Sequence, residues 1–191
     1  KYDNICNHIH LPVQSGSNTI LKKMNRQHSR EQYIELINNI RKIIPHCGIS
    51  HDMIAGFPTE TEKDHKDTLT LMDYVKYDFG FMFMYSERPG TPAAKKLKDN
   101  IPENVKKRRL QEVVTRQQRH GLYRTQQFVG QTVEVLIEKE SKKSKKHWSG
   151  RNQQNTVVVF PKENFKIGDF VNVQIEDCTS ATLIGKAVSH G

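Results

Sequence analysis

His8-Ile9-His10-Leu11-Pro12-Val13-Gln14-Ser15-Gly16-Ser17-Asn18 is the stretch that decides the fold class of this chain. An apolar alternation ends there in a polar turn with a glycine, which predicts a short strand that runs directly into a loop. Two later stretches, 48–60 and 79–91, have the same form, and helical patterns follow the first two strands. The order β-loop-α, β-loop-α, β-loop predicts parallel strands whose polar loops gather at one edge, where α/β folds place their ligands.

Two amphipathic helices connect these strands. The first begins at a capping box made by Ser29 and Gln32 and presents one apolar face. That face consists of Tyr33, Leu36, Ile37, Ile40, Ile43 and Ile44. The second spans residues 61–76, with Leu69, Met72 and Val75 facing inward, and its candidate capping pairs are Thr59 with Glu62 and Thr61 with Asp64. The third strand is apolar on both faces, which predicts a fully buried strand.

From Gly130 onward the hydrophobic period changes to two, which is the period of half-buried strands. Strands rich in β-branched residues are predicted at Thr132 to Glu138, Thr156 to Phe160, Phe170 to Ile175 and Ala181 to Val188, with a fifth near Trp148. Four or five such strands within about 60 residues predict a small antiparallel β-barrel, of the size of an OB-like oligonucleotide-binding module.

The formal net charge of +9 is unevenly spread along the chain. Residues 1–94 hold 11 basic and 11 acidic side chains, residues 95–128 hold 10 basic against 3 acidic, and residues 129–191 hold 9 against 7. A basic end on a neutral body suits a polyanionic partner. No apolar run approaches about 18 residues, so the sequence predicts no membrane-spanning helix.

Two basic segments are candidates for contact with such a partner. One is a helix predicted from Asn100 and Pro102 to Gln127, which carries Lys106, Lys107, Arg108, Arg109, Arg116, Arg119 and Arg124. Its alternative role is a solvated face that bridges two domains. The other is a predicted barrel loop whose candidate nucleic-acid contacts are Lys142, Lys143, Lys145, Lys146, Trp148 and Arg151. Lysines neutralise phosphates and an indole stacks on bases, although a charge run alone is often only a solvated loop.

Four segments, in the right order, resemble the radical S-adenosylmethionine (radical SAM) methylthiotransferase family. They are residues 8–18 with Met24-Asn25-Arg26, Gly56-Phe57-Pro58-Thr59-Glu60-Thr61, Tyr85-Ser86-Glu87-Arg88-Pro89-Gly90-Thr91, and residues 129–187, which resemble the family's TRAM RNA-binding domain. The resemblance implies an α/β plus all-β chain. It divides into the C-terminal half of a partial TIM-like radical SAM barrel in residues 1–99, a basic linker helix in residues 100–128, and a TRAM domain in residues 129–191.

The resemblance also implies roles for residues at the strand ends. The SAM-binding candidates are Gln14, Ser15, Asp52, Ile54, Gly56, Met84 and Tyr85. Among them, Ile54 is expected to pack against adenine and Gly56 to let the backbone come close. The substrate-binding candidates are Glu87, Arg88 and Thr91, since a guanidinium suits a phosphate or the SAM carboxylate. The alternatives are ordinary turn chemistry at Gln14 and Ser15, an ion pair of Asp52 with a lysine or arginine, and core packing of Met84 and Tyr85.

The cysteines Cys6, Cys47 and Cys178 lie too far apart in sequence to form the Cys-x3-Cys-x2-Cys loop that holds a 4Fe–4S cluster in this family. We expect reduced thiols, as in a reducing compartment, and cluster ligands upstream of Lys1 in a missing N-terminal part of the same enzyme. His8 and His10 alternate on one strand face without a third ligand. We therefore expect them to be polar residues of the barrel interior, and we expect no metal site in this segment.

The activity that the resemblance implies is addition of a methylthio group to carbon 2 of N6-isopentenyladenosine next to the tRNA anticodon. The implied cofactors are SAM and 4Fe–4S clusters, the implied partners are the tRNA anticodon stem-loop and an electron donor, and the implied location is the cytoplasm. The sequence assigns no catalytic residue. Two alternatives stay open: a sibling methylthiotransferase that acts on threonylcarbamoyl-adenosine in tRNA or on a ribosomal protein, and a non-catalytic RNA-binding protein.

Overall fold

The computed structural model describes residues 5–188. The predicted unit 1–99 therefore begins before the described residues, and the predicted unit 129–191 ends after them. The first unit is built on β1 (His8–His10), β2 (Gly48–Ala55) and β3 (Phe79–Met84). These strands are parallel and lie in the order β1-β2-β3, which confirms the predicted α/β arrangement. Because the strands are parallel, the loops that follow them meet at the carboxyl edge of the sheet.

Three helices follow the first two strands: α1 (Asn18–Lys23), α2 (Arg30–Ile43) and α3 (Glu62–Val75). The capping box of Ser29 and Gln32 is confirmed at the start of α2, and Thr61 with Asp64 forms the capping box of α3. The core between helices and sheet includes Val13, Tyr33, Ile37, Ile49, Met53, Leu69, Leu71, Met72, Val75 and Tyr77. The inward-facing residues predicted for α3 are therefore confirmed.

Two predictions of burial are wrong. In α2, Leu36 is 44% exposed and Ile43 is 77% exposed, because both lie about 100° around the helix from the stripe that packs in the core. In β3, Phe81 and Phe83 are each 53% exposed. Side chains alternate between the faces of a strand, so these two rings lie on the sheet face opposite the helices. We call this the open face, because no helix within residues 5–188 covers it.

The long basic helix packs on both neighbouring units. It is α5 (Glu103–Gln126) and follows the short α4 (Pro92–Lys96). Four of its polar side chains are buried against the first unit: Lys106, Arg109, Gln117 and His120. At its other end the Thr125 hydroxyl donates to the Thr179 carbonyl oxygen in the second unit, at 2.7 Å. None of the helices within residues 5–188 has the length and apolar character needed to cross a membrane.

The second unit is a closed five-stranded barrel. Its strands are β4 (Thr132–Ser141), β5 (Ser144–Arg151), β6 (Val157–Pro161), β7 (Phe170–Cys178) and β8 (Thr182–Ala187). The barrel order is β4-β5-β6-β8-β7, and its core includes Val135, Ile137, Val158, Phe160, Val173, Ile175 and Leu183. The predicted barrel is confirmed with one correction, since β6 and β8 pair in parallel. β7 pairs with β4 rather than with β6, so β8, which returns antiparallel to β7, closes the barrel parallel to β6.

Candidate cofactor edge and candidate RNA surface

The carboxyl edge of the sheet begins at the turn after β1. Gln14 has a left-handed backbone (φ 71°), and its N–H donates to the Asp52 carbonyl oxygen at 3.0 Å. The Ile54 N–H donates in turn to the Gln14 carbonyl oxygen at 3.0 Å. These two hydrogen bonds bring three of the SAM-binding candidates together at the end of β2.

The side chain of Ser15 lies on the helix side of this turn. Its hydroxyl is fully buried, 3.3 Å from the Thr68 hydroxyl of α3, and it accepts the Ser17 N–H at 3.2 Å. The Ser17 hydroxyl donates to Asp64 at 2.5 Å. The hydroxyl of Ser15 therefore fixes the turn against α3, which is the turn chemistry that the sequence left as an alternative.

Asp52 and Ile54 lie on the open face of β2. They alternate with Met53, which is fully buried in the helix-side core, and their register partners on β3 are Phe81 and Phe83. An Asp52 carboxylate oxygen is 3.5 Å from His10 Nε2, so its neighbour is a histidine rather than a lysine or arginine. This face combines a half-buried carboxylate, an aliphatic side chain and exposed aromatic rings.

His8 and His10 share one partner on this face. His8 Nε2 lies 3.1 Å and His10 Nδ1 lies 2.9 Å from the Ser50 hydroxyl. Within residues 5–188 no group of three His, Cys, Asp or Glu side chains could hold a metal ion. Both histidines are thus polar members of the open face of the sheet.

The loop after β2 is in close contact with Glu60 and with Lys106 of α5. Gly56 has φ 74°, and its N–H donates to a Glu60 carboxylate oxygen at 2.8 Å. A Cβ atom at this position would collide with the side chain of Lys106 in α5, so glycine is needed for the close approach of α5 as well as for the left-handed backbone. The close neighbour of Gly56 in this chain is therefore Lys106.

Met84 and Tyr85 end the edge strand β3. The Tyr85 N–H donates to the Ala55 carbonyl oxygen at 2.9 Å, and backbone groups alternate along a strand, so the N–H of Met84 faces the outer edge of β3. The Tyr85 ring packs edge-on against Phe57 at 5.1 Å, and burial raises the pKa of its hydroxyl. The ring of Tyr85 is thus a core group, while the Met84 N–H lies on the outer edge of the three-stranded sheet within residues 5–188.

Glu87, Arg88 and Thr91 follow at the mouth of this edge. The Thr91 side chain accepts the Ala94 N–H at 3.3 Å and caps α4, and its hydroxyl donates to the Arg88 carbonyl oxygen at 2.9 Å. Glu87 and Arg88 are exposed. The two charged side chains are therefore exposed, while the third residue, Thr91, serves as a helix cap.

The three cysteines do not come together. Cys6 is exposed, Cys47 is buried in the core of the first unit, and Cys178 lies in the barrel. Burial raises the pKa of the Cys47 thiol, which disfavours the thiolate that a metal ligand requires. Residues 5–188 thus offer no ligand set that fits a 4Fe–4S cluster.

In the barrel, four lysines cluster at the hairpin between β4 and β5. Lys142 and Lys143 form its turn, Lys145 and Lys146 begin β5, and all four are exposed. This basic segment is the turn of a hairpin, and most of residues 139–152 belong to its two paired strands, which include the strand predicted near Trp148. Beside the turn lies a groove of about 490 Å³ with Val157, Val159 and Ile184 in its lining.

Trp148 and Arg151 both have partners within the barrel. The Trp148 ring packs on the barrel core, and the Lys162 ammonium covers one of its faces at 4.4 Å from the centroid. Arg151 is at the far end of β5, where it donates to the Asn155 carbonyl oxygen at 2.8 Å and lies 3.4 Å from Glu138. The structure therefore groups the four lysines but not the complete set of six predicted RNA contacts.

The basic side chains of α5 are largely paired with carboxylates. Asp73 alone contacts Arg116, Arg119 and His120. The other pairs are Lys106 with Asp99, Lys107 with Glu103, Arg108 with Glu62 and Glu112, Arg109 with Glu60 and Glu62, and Arg124 with Asp78. Such pairing favours the bridging role of α5 over an RNA surface.

Comparison with known proteins agrees with these two units. Residues 1–72 match the Radical SAM superfamily, and residues 126–188 match the TRAM domain. The chain is similar to the tRNA-2-methylthio-N(6)-dimethylallyladenosine synthases of Christiangramia forsetii and Flavobacterium johnsoniae, with 71% and 67% identity over 98% of its length. It covers 39% of each, so it spans about two-fifths of the length of these curated relatives. The resemblance predicted from the sequence is thereby confirmed for both units: the chain contains a Radical SAM superfamily segment and a TRAM domain, and nearly its whole length is similar to these synthases.

Proposed function

We propose that the protein containing this chain adds a methylthio group to carbon 2 of N6-dimethylallyladenosine, next to the anticodon of tRNA. The observation that carries this proposal is the 71% identity to a synthase of that name, which extends through both the sheet and the barrel. Cofactor binding and RNA binding would then be the tasks of the α/β unit and the barrel of this chain.

SAM is proposed to bind at the carboxyl edge of the sheet. The face of β2 offers the Asp52 carboxylate and the half-buried Ile54, and the outer edge of β3 offers the backbone of Met84. These groups suit an adenosine. Its base needs an apolar surface to pack against, and the hydrogen-bonding edge of the base and the ribose hydroxyls need polar partners. When bound, SAM supplies the radical chemistry and the methyl group, while these residues position it and exclude water.

The 4Fe–4S cofactors implied by the family must take their thiolates from outside residues 5–188, because the cysteines in this range do not meet. Glu87 and Arg88 are proposed to contact the substrate nucleoside, with Thr91 holding the loop that carries them. The four lysines of the β4–β5 turn are proposed to bind tRNA phosphates. An electron donor and a cytoplasmic location complete the proposal.

Nucleoside analysis of tRNA tests the proposed reaction. Mass spectrometry of tRNA from cells that lack the complete protein should show N6-dimethylallyladenosine without its methylthio group, and the complete protein supplied in trans should restore it. Loss of a methylthio group from threonylcarbamoyl-adenosine, or from a ribosomal protein, would assign the protein to a sibling activity. Unchanged modification in all three substrates would favour a non-catalytic RNA-binding role.

A further inference from the structure

The loop between β2 and α3 is built around two left-handed residues. Gly56 has φ 74° and Thr59 has φ 69°, the second in a region that non-glycine residues seldom adopt. A threonine held there costs free energy, so contacts from elsewhere must fix the loop. Since β2 delivers Asp52 and Ile54 to the proposed SAM site, the shape of this loop determines where the end of β2 lies.

Side-chain contacts from α5 and from the segment before it fix the loop, together with one contact within the loop and one from Lys23 of α1, whose ammonium donates to the Thr59 hydroxyl. The Asn100 side-chain oxygen accepts the Thr59 N–H at 2.8 Å. The Glu60 carboxylate accepts the Gly56 N–H at 2.8 Å and closes the loop on itself. Arg109 then binds Glu60 twice through Nη1, at 2.9 Å to the carboxylate and at 2.9 Å to the carbonyl oxygen.

The ion pair of Arg109 with Glu60 is almost completely buried. Their side chains are 4% and 1% exposed, and Arg109 Nη2 also donates to Glu62 at 2.7 Å. Burial raises the pKa of the Glu60 carboxyl, and the guanidinium opposes this shift by favouring the ionised form. Removal of the guanidinium would leave an unpaired buried carboxylate directly under the Gly56 N–H.

We propose that Arg109 of α5 is a positioning residue for SAM, acting through Glu60 on the Gly56–Glu60 loop. This inference rests on the proposed function, because it assumes that SAM binds at the end of β2. Arg109 would not contact SAM, but it would fix the position of the residues that do. Within residues 5–188, Arg109 forms no hydrogen bond or ion pair with Asp52 or Ile54. Its effect on the cofactor therefore passes through the loop backbone.

The test compares SAM affinity among variants of the complete protein that contains this chain. Arg109→Met should raise the SAM Kd about tenfold or more, as loss of a supporting residue commonly does, and Arg109→Lys should recover part of that loss. The tRNA Kd should stay within about twofold of the parent value, because RNA is proposed to bind on the barrel. If Arg109 only stabilised the fold, its loss would weaken the binding of SAM and of tRNA together.

Arg116→Met is the matched control, since Arg116 is an ion-paired arginine on the same helix that contacts Asp73 and not the loop. Its SAM Kd should equal that of the parent protein. Equal losses in the Arg116 and Arg109 variants would show that helix docking in general is responsible, and would overturn the inference. A folded Arg109→Met protein with the parent SAM Kd would overturn it as well.

The double variant Glu60→Gln with Arg109→Met covers the case in which the single variant does not fold. It leaves no buried charge, and the glutamine oxygen can still accept the Gly56 N–H. We expect a folded protein with a raised SAM Kd, and the parent SAM Kd in this variant would again contradict the inference. If the parent protein itself binds no SAM, the proposed function fails, whatever the variants do.

Discussion

The Nε2 atom of His51 in β2 lies 2.9 Å from the side-chain oxygen of Gln117 in α5, inside the first unit. The His51 ring is fully buried, packs 4.2 Å from the Tyr77 ring, and occupies the space that a Cβ atom at Gly80 would need. The Gln117 amide also donates to the Tyr77 carbonyl oxygen at 3.1 Å. These contacts make α5 an integral part of the α/β unit.

Burial lowers the pKa of His51 to about 4, although the hydrogen bond that its Nε2–H donates to the Gln117 side-chain oxygen opposes the shift. The unfolded chain binds this proton near pH 6.5, so the unfolded state holds more protons between pH 6.5 and 4. We therefore expect the free energy of unfolding of the first unit to fall by up to about 3 kcal/mol as the pH is lowered across this window. Urea unfolding followed by circular dichroism at 222 nm measures it, since the helices of the described chain precede Thr132.

His51→Gln should flatten this pH dependence, and the exposed His46→Gln is the control that should leave it unchanged. His65 and His120 also have lowered pKa values because of burial, so a smaller slope should remain in the His51 variant. An unfolding free energy that does not change between pH 7 and pH 5 would show that protonation of His51 has no cost in the fold.

Trp148 should affect the stability of the barrel. Its ring packs on the core under Lys162, so Trp148→Ala should lower the free energy of unfolding of the barrel by about 3 kcal/mol, while Trp148→Phe should cost less. Calorimetry of the barrel transition measures both. If Trp148→Phe weakens tRNA binding by more than about 1 kcal/mol without loss of stability, the ring also stacks on a base.

The lysine turn should control the salt dependence of tRNA binding. Replacement of Lys142, Lys143, Lys145 and Lys146 by serine should flatten the plot of log K against log salt by about 2–3 units, since each phosphate contact contributes about 0.7–0.9. The control replaces Lys166 and Lys186, which lie elsewhere on the same barrel. A parent-like slope in the four-lysine variant would mean that the turn is only a solvated hairpin.

Ile54 should control SAM affinity. Ile54→Asp places a carboxylate where adenine is proposed to pack, at a desolvation cost of about 1–3 kcal/mol, and we expect the SAM Kd to rise at least about tenfold. Ile43→Asp is the control, because Ile43 is an isoleucine of the same unit that is 77% exposed. Unchanged SAM binding in a folded Ile54→Asp protein would remove β2 from the cofactor site.

Local features were predictable from the sequence because neighbouring residues determine them. Short-range backbone chemistry determines the capping box of Ser29 and Gln32 and the turn at Gln14. Period-two patterning determines the strands of the barrel. The exposure of Ile43 could not be read in the same way, since it depends on which stripe of α2 the sheet covers.

Long-range pairings were not predictable from one sequence. The contact of Arg109 with Glu60 joins residues 49 positions apart, and the basic pattern of α5 gave no sign that its arginines are neutralised by Glu62, Asp73 and Asp78. The sequence assigns Trp148 to RNA because lysines surround it in sequence, but its contacts with Phe160 on β6 and with Lys162 come from the pairing of β5 with β6. A motif such as Glu60 followed by an acidic helix start could have suggested a buried arginine partner, although not its position.

Hydrogen–deuterium exchange of the complete protein, with SAM and with tRNA in turn, tests most directly whether this chain holds a cofactor edge and a separate RNA surface. SAM should protect amides in residues 14–17, 52–60 and 84–91, and tRNA should protect residues 139–148. Protection by SAM that spares all three strand ends, or protection by tRNA confined to α5, would contradict the account.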